Sequence, residues 1–149
     1  MAVAERQARV AEFGPLSEGT MRAEDLIPAF ADSLEWLSNG SSEAHSKLVA
    51  EAEAIEDFDS EEAGFVLDEL FEALNDYAPD YGYFGAHEGD AACYGFWFSE
   101  DAAEDVPKYG DSSEVPADVN ECFIVNDHGN LTLLARDAAG ELQEVWGLV

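Results

Sequence analysis

The sequence predicts an α+β fold in which N-terminal helices cover one face of a mainly antiparallel sheet of about five strands. Three observations predict it. Apolar residues recur at helical spacing as far as Pro79; the period then turns extended and aromatic; and turns rich in Gly and Asn separate the last strand-like runs.

Residues 2–13 read as a short helix and "GPLSEGT" as a loop, so residues 1–20 are expected to form an N-terminal extension to a single domain spanning 21–149. In "EDLIPAFADSLEWLSNG", Leu26, Ile27, Phe30, Leu34 and Leu37 recur at helical spacing. Proline fits only the first turn of a helix, so Pro28 predicts a start near Asp25 and an end before Asn39-Gly40. Ser41 or Ser42 can cap a second helix whose inner stripe is Leu48, Val49, Ala52 and Ile55. A third helix opens at Asp59, with Glu62 at capping-box spacing. Its apolar face is Val66, Leu67, Leu70, Leu74 and Tyr77, and Pro79 closes it.

Beyond Pro79, "YGYFGAHEGDAACYGFWF" reads as two aromatic strands about a Glu88-Gly89-Asp90 turn. An acidic linker, "SEDAAEDVPKYGDSSEVPADVN", is expected to carry one short helix at its start. Three strands follow, "ECFIVN", "LTLLARD" and "ELQEVWGLV", joined by "DHGN" and "DAAG", where positive φ is cheap.

The 149 residues suit one core, and 47% hydrophobic content with nine Phe, five Tyr and three Trp is enough to offset chain entropy. The formal net charge is -28, from 34 acids against six bases. Such a surface repels nucleic acid and anionic membranes, which argues against direct binding to either and favours basic partners. No segment approaches the roughly 20 apolar residues of a membrane span. "MAVAERQARVAEFG" lacks the unbroken apolar stretch of a signal peptide, so the cytoplasm, or that of a host cell, is the expected location. Cys93 and Cys122 fall in different predicted strands and read as small core residues of a reducing compartment.

The charge is concentrated. Residues 51–77 hold eleven carboxylates and no Lys or Arg, and no Lys or Arg occurs from Leu48 to Pro107. Asp68, Glu72 and Asp76 succeed one another at i, i+4 spacing, where each like-charge pair lowers helix stability by a few tenths of a kcal/mol. Three readings compete. A solvated face would serve solubility, but a small domain needs only about 2 to 8 net charges for that. Adaptation to a salt-rich cytoplasm would tolerate the acids because salt screens them. Alternatively the acids imitate phosphates and dock into the basic groove of a nucleic-acid-binding protein. On that reading the partner-binding residues are Glu61, Asp68, Glu69, Glu72 and Asp76 on the third helix, with Glu51, Glu53, Glu56 and Asp57 beside them.

Catalysis finds little support. His87, Glu88, Asp90, Cys93 and His128 are the chemically suggestive residues, yet "HEGD" lacks the spacing of a zinc helix and no CxxC occurs. "DFDSEE", residues 57–62, offers oxygens for a cation but lacks the Gly and distant Glu of an EF-hand loop, so only weak, adventitious binding is expected there. No metal, cofactor or enzymatic activity is therefore expected. The aromatics of the two strands resemble a stacking platform in type, but their acidic neighbourhood favours core packing, with some rings free to anchor an interface.

"GYFGAHEGDAACYGFWFSE" (82–100), with "ELFEALNDYAPDY" before it and "VNDHGNLTLLA" after it, resembles small acidic proteins encoded by bacterial phages and mobile elements. By size and charge the chain is similar to anti-CRISPR and anti-restriction inhibitors, a class without a shared motif, so the resemblance assigns no role to any residue. It implies a basic nucleic-acid-binding protein or complex of a host defence system as partner. The aromatic strand edge offers a route to a homodimer. A non-catalytic salt-adapted protein or a small interaction module is the alternative.

Overall fold

The structure is a computed structural model that describes residues 8–148. Its helices are N-terminal and its strands form separate sheets, which makes the fold α+β. The chain divides into two compact units, residues 1–99 and 100–149.

In the first unit α1 (Ala23–Ser38), α2 (Glu43–Glu53) and α3 (Glu61–Asn75) pack together, and α1 and α3 also meet a three-stranded antiparallel sheet. The sheet comprises β1 (Gly14–Ser17), β2 (Gly82–His87) and β3 (Asp90–Phe98), with β3 between the other two. β1 replaces the expected loop, and nothing from residue 8 to residue 13 is helical; the rest of the expected first helix lies outside the described residues. The "GPLS" strand is held by pairing with β3, where Gly14 lies opposite Phe96 and Pro15 opposite Gly95. Gly95 is required at that crossing, because a Cβ there would overlap the Gly14 carbonyl and stand 2.8 Å from Pro15 Cα.

α1 begins two residues before the expected start, with Pro28 in its second turn. Pro28 is exposed, so the N–H it lacks is missing from the solvent side of the helix. Asn39 in the left-handed conformation (φ 51°) ends the helix and returns its N–H to the Glu35 carbonyl. Ser42 caps α2 by accepting from the His45 N–H. Ser60 rather than Asp59 caps α3: its Oγ accepts from the Ala63 N–H at 3.1 Å, while the Asp59 N–H is taken by Asp57 Oδ1.

The core lies between helices and sheet. Phe30 of α1 is fully buried and meets Phe71 of α3, Phe84 of β2 and Tyr94 of β3 edge-to-face, with centroids 5.2, 5.1 and 5.7 Å away. Phe96 continues the cluster through Phe84. The strand aromatics Phe84, Tyr94 and Phe96 are thus core residues. The Asn75 side chain, accepting from the Phe84 N–H, joins the end of α3 to β2.

The second unit is a four-stranded sheet in the order β4 (Lys108–Tyr109), β5 (Glu121–Val125), β6 (Leu131–Arg136), β7 (Leu142–Leu148). All five expected strands fall as read, but they do not share one sheet: two lie in the first sheet and three in the second, and the short β1 and β4 complete the two. β4 runs parallel to β5 and the other pairs are antiparallel. The short helix expected at the start of the linker is a series of turns over 100–106, and the linker's one helical turn is 3-10, at Ser112–Glu114. Cys122, Phe123 and Leu133 are fully buried. Arg136 clasps this unit, donating to the carbonyls of Val119, Gly140 and Pro116 at 2.7 to 2.9 Å.

The turn from β6 to β7 is organised by Asp137, whose Oδ1 accepts from the N–H groups of Ala139 and Glu141. The Glu141 N–H, above all, holds this carboxyl below its ordinary value. A depressed folded value stabilises the turn above the ordinary aspartate range, and that contribution is lost as pH falls through the folded value. The Ala139 and Glu141 amide resonances should therefore titrate with a midpoint below the ordinary aspartate value. Movement with an ordinary aspartate midpoint, about 3.9, would contradict this account of the turn.

Candidate functional site

All nine acids singled out in the sequence, Glu51, Glu53, Glu56, Asp57, Glu61, Asp68, Glu69, Glu72 and Asp76, are exposed. α3 positions the central group. Its buried stripe is Ala63, Val66, Leu70, Ala73 and Leu74, so at about 100° per residue Glu61, Asp68, Glu69 and Glu72 point the other way. Asp76, the C-cap residue, keeps near-helical backbone (φ -64°, ψ -20°) and continues the row.

The flanking acids divide. Glu51 and Glu53 sit on the last turn of α2, about 200° apart around the axis, so they flank its buried Leu48–Val49–Ala52 stripe on opposite sides. Glu56 and Asp57 lie in the connection between α2 and α3. Asp57 helps to build that connection: its carboxylate accepts from the Asp59 N–H at 3.0 Å and its carbonyl from Ser60 Oγ at 2.7 Å.

The acids of α3 are nearly bare of cations. Among the described residues the ion pairs are Arg22 with Glu24 and His45 with Asp76, the latter at 3.8 Å between Nε2 and Oδ2. His45 Nδ1 lies 2.6 Å from the Tyr77 hydroxyl. Burial, and then the Asp76 charge, push the Tyr77 phenol up. Through these two contacts His45 ties α2 to the end of α3. Glu61, Asp68, Glu69 and Glu72 have no such partner among the described residues.

This arrangement destabilises the helix that carries it. Asp68–Glu72 and Glu72–Asp76 are like-charged i, i+4 pairs, each costing a few tenths of a kcal/mol. No basic residue occupies the last turn of α3, and acids near a helix C-terminus oppose the macrodipole by about 0.3–1 kcal/mol each. In geometric terms, Asp68 to Asp76 spans about 12 Å of axis at 1.5 Å per residue. Four carboxylates over that length give about one charge per 3 to 4 Å, close to the 3.4 Å spacing along one strand of DNA.

Two features of this face were absent from the sequence reading. Phe65, 66% exposed, lies among the acids. Gly64 beside it is exposed, and a Cβ there would meet nothing within 4 Å. Alanine would fit and would stabilise the helix by about 0.5–1 kcal/mol. The signal for both was the helical wheel.

His87, Cys93 and His128 each sit in local structure of their own unit. His87 accepts from the Gly89 N–H and packs its ring on Trp97, which makes it a turn group. Cys93 is buried, and burial together with Glu18 and Asp90 pushes its thiol up, away from the nucleophilic thiolate. His128 is an exposed turn residue of the other unit. Among the described residues no group of three His, Cys, Asp or Glu is placed to hold a metal ion. The aromatic strand β3 is paired on both sides, which leaves β1 and β2 as the edges of its sheet. A groove beside α1, lined by Phe13, Leu16, Trp36 and Leu37, also carries Glu12 and Asp32. Arg9 covers the Trp36 ring there at 4.4 Å. No helix among the described residues is long and apolar enough to cross a membrane.

Compared with protein-family models, curated proteins and solved structures, the chain matches none.

Proposed function

We propose that the protein is a non-catalytic acidic inhibitor whose outer α3 face occupies the basic nucleic-acid-binding surface of another protein in place of DNA phosphates. One observation carries the reading: Asp68, Glu69, Glu72 and Asp76 are exposed in a row at DNA-like charge spacing, although the row weakens its own helix. Partner lysines and arginines would convert that repulsion into ion pairs with release of counterions. The resemblance to small acidic phage and mobile-element proteins directs the proposal to the cytoplasm of a host cell. There the partner is a defence complex, either a CRISPR surveillance complex or a restriction enzyme. The test is displacement of labelled duplex DNA from such complexes. Release that weakens steeply as salt is raised is the expected result, and failure to release DNA at any salt concentration from either class of complex excludes them as partners.

A second reading has its own observation. Exposed acids also cover the other unit, among them Asp101, Glu104, Asp105, Asp111 and Glu114, as adaptation to high salt requires. Melting in graded salt separates the two. On the inhibitor reading the protein folds in dilute buffer, and its Tm rises between low and moderate salt as self-repulsion is screened within about 10 Å at 0.1 M. A fold that forms only in molar salt would give the charge to salt adaptation.

A further inference from the structure

Phe65 lies within about 60° of each of Glu61, Asp68, Glu69, Glu72 and Asp76 around the α3 axis, inside the arc they cover. Its side chain points away from the buried stripe, and among the described residues it has no aromatic partner. The core does not use this ring and water does not reward its exposure. At its side the Gly64 backbone is bare where alanine would fit. An aromatic ring beside an uncovered stretch of helix, ringed by carboxylates, has the layout of an interface anchor with a charged rim.

We infer that Phe65 is the anchor of the α3 face, entering an apolar pocket set among the Lys and Arg side chains of a cationic protein partner. The inference rests on the proposed function and names the partner's chemistry. A groove that stacks bases and binds phosphates is built to hold this combination of ring and fixed anions. Charge complementarity selects this occupant. A second copy of the chain would set the same carboxylates against themselves, and an anionic lipid surface would repel them. Gly64 lets the partner's surface come close to the helix beside the ring.

The test uses two short basic peptides of equal charge, one carrying Trp and Leu where the other carries Ser, titrated into the intact protein by calorimetry. The Trp/Leu peptide should bind roughly tenfold tighter, and Phe65→Ala should abolish that gain. The salt dependence should stay the same, because the ring neutralises no charge. Phe65→Ala should keep its circular dichroism, since the ring lies outside the core. Equal binding of the two peptides, or a gain that survives Phe65→Ala, overturns the anchor while leaving the acidic face in place. If both peptides bind D68K/E69K/E72K as tightly as the unaltered protein, the acidic face itself fails. Dimerisation that disappears in Phe65→Ala, seen by sedimentation, gives the ring to a second copy and also overturns the inference.

Discussion

Phe30→Ala should lower the unfolding free energy by about 3–5 kcal/mol. The ring is fully buried and touches Phe71, Phe84 and Tyr94, so one truncation loosens α1, α3 and both strands of the β2–β3 hairpin. Collapse into the space is limited because the neighbours belong to separate elements that also hold each other, through Phe71–Phe84 and Phe71–Tyr94. Small domains have only about 5–15 kcal/mol of total stability, so the variant should be close to unfolding at physiological temperature. In urea the midpoint should fall while the slope of the transition is kept. A loss below about 1 kcal/mol, which is small for a buried Phe, would mean that these aromatic contacts do not hold the unit together.

Much of this first unit was legible from local pattern. Leu26, Ile27, Phe30, Leu34 and Leu37 of α1 are all buried, and the β2–β3 turn falls at Glu88-Gly89, within the expected Glu88-Gly89-Asp90, with Asp90 opening β3. Periodicity reports which side of an element is covered, and it did so correctly where elements are long. It is silent about partners. β1 has four residues, and β4 has two, too few to show alternation, and each exists because a distant strand pairs with it. Hence the division into two sheets was not readable from strand patterns. The cap of α3 falls to Ser60, whose Oγ accepts from the Ala63 N–H, one residue beyond the Asp59 that capping-box spacing favours.

The same distinction holds for the surface. The exposure of all nine acids followed from polarity, and the α3 row followed from 100° spacing. Applied as strictly to α2, that spacing separates Glu51 from Glu53, and applied to α3 it places Phe65 among the acids. Phe65 was overlooked because the polar side of a helix is read for its charges, and an apolar residue there carries no periodic signal of its own.

The central claim is that the α3 carboxylates stand in for phosphates, and reversing Asp68, Glu69 and Glu72 to lysine tests it most directly. These side chains lie off the buried stripe, and Asp76 is left to His45, so the triple variant should keep its helical spectrum. The reversal removes three attractions to a cationic groove and adds three repulsions, costing roughly several kcal/mol where the charges are desolvated. Measured as competition with DNA for a defence complex displaced by the unaltered protein, the folded D68K/E69K/E72K variant should no longer displace the DNA. Displacement equal to that of the unaltered protein, with the same dependence on salt, would contradict the claim and leave the acids of α3 to solubility or salt adaptation.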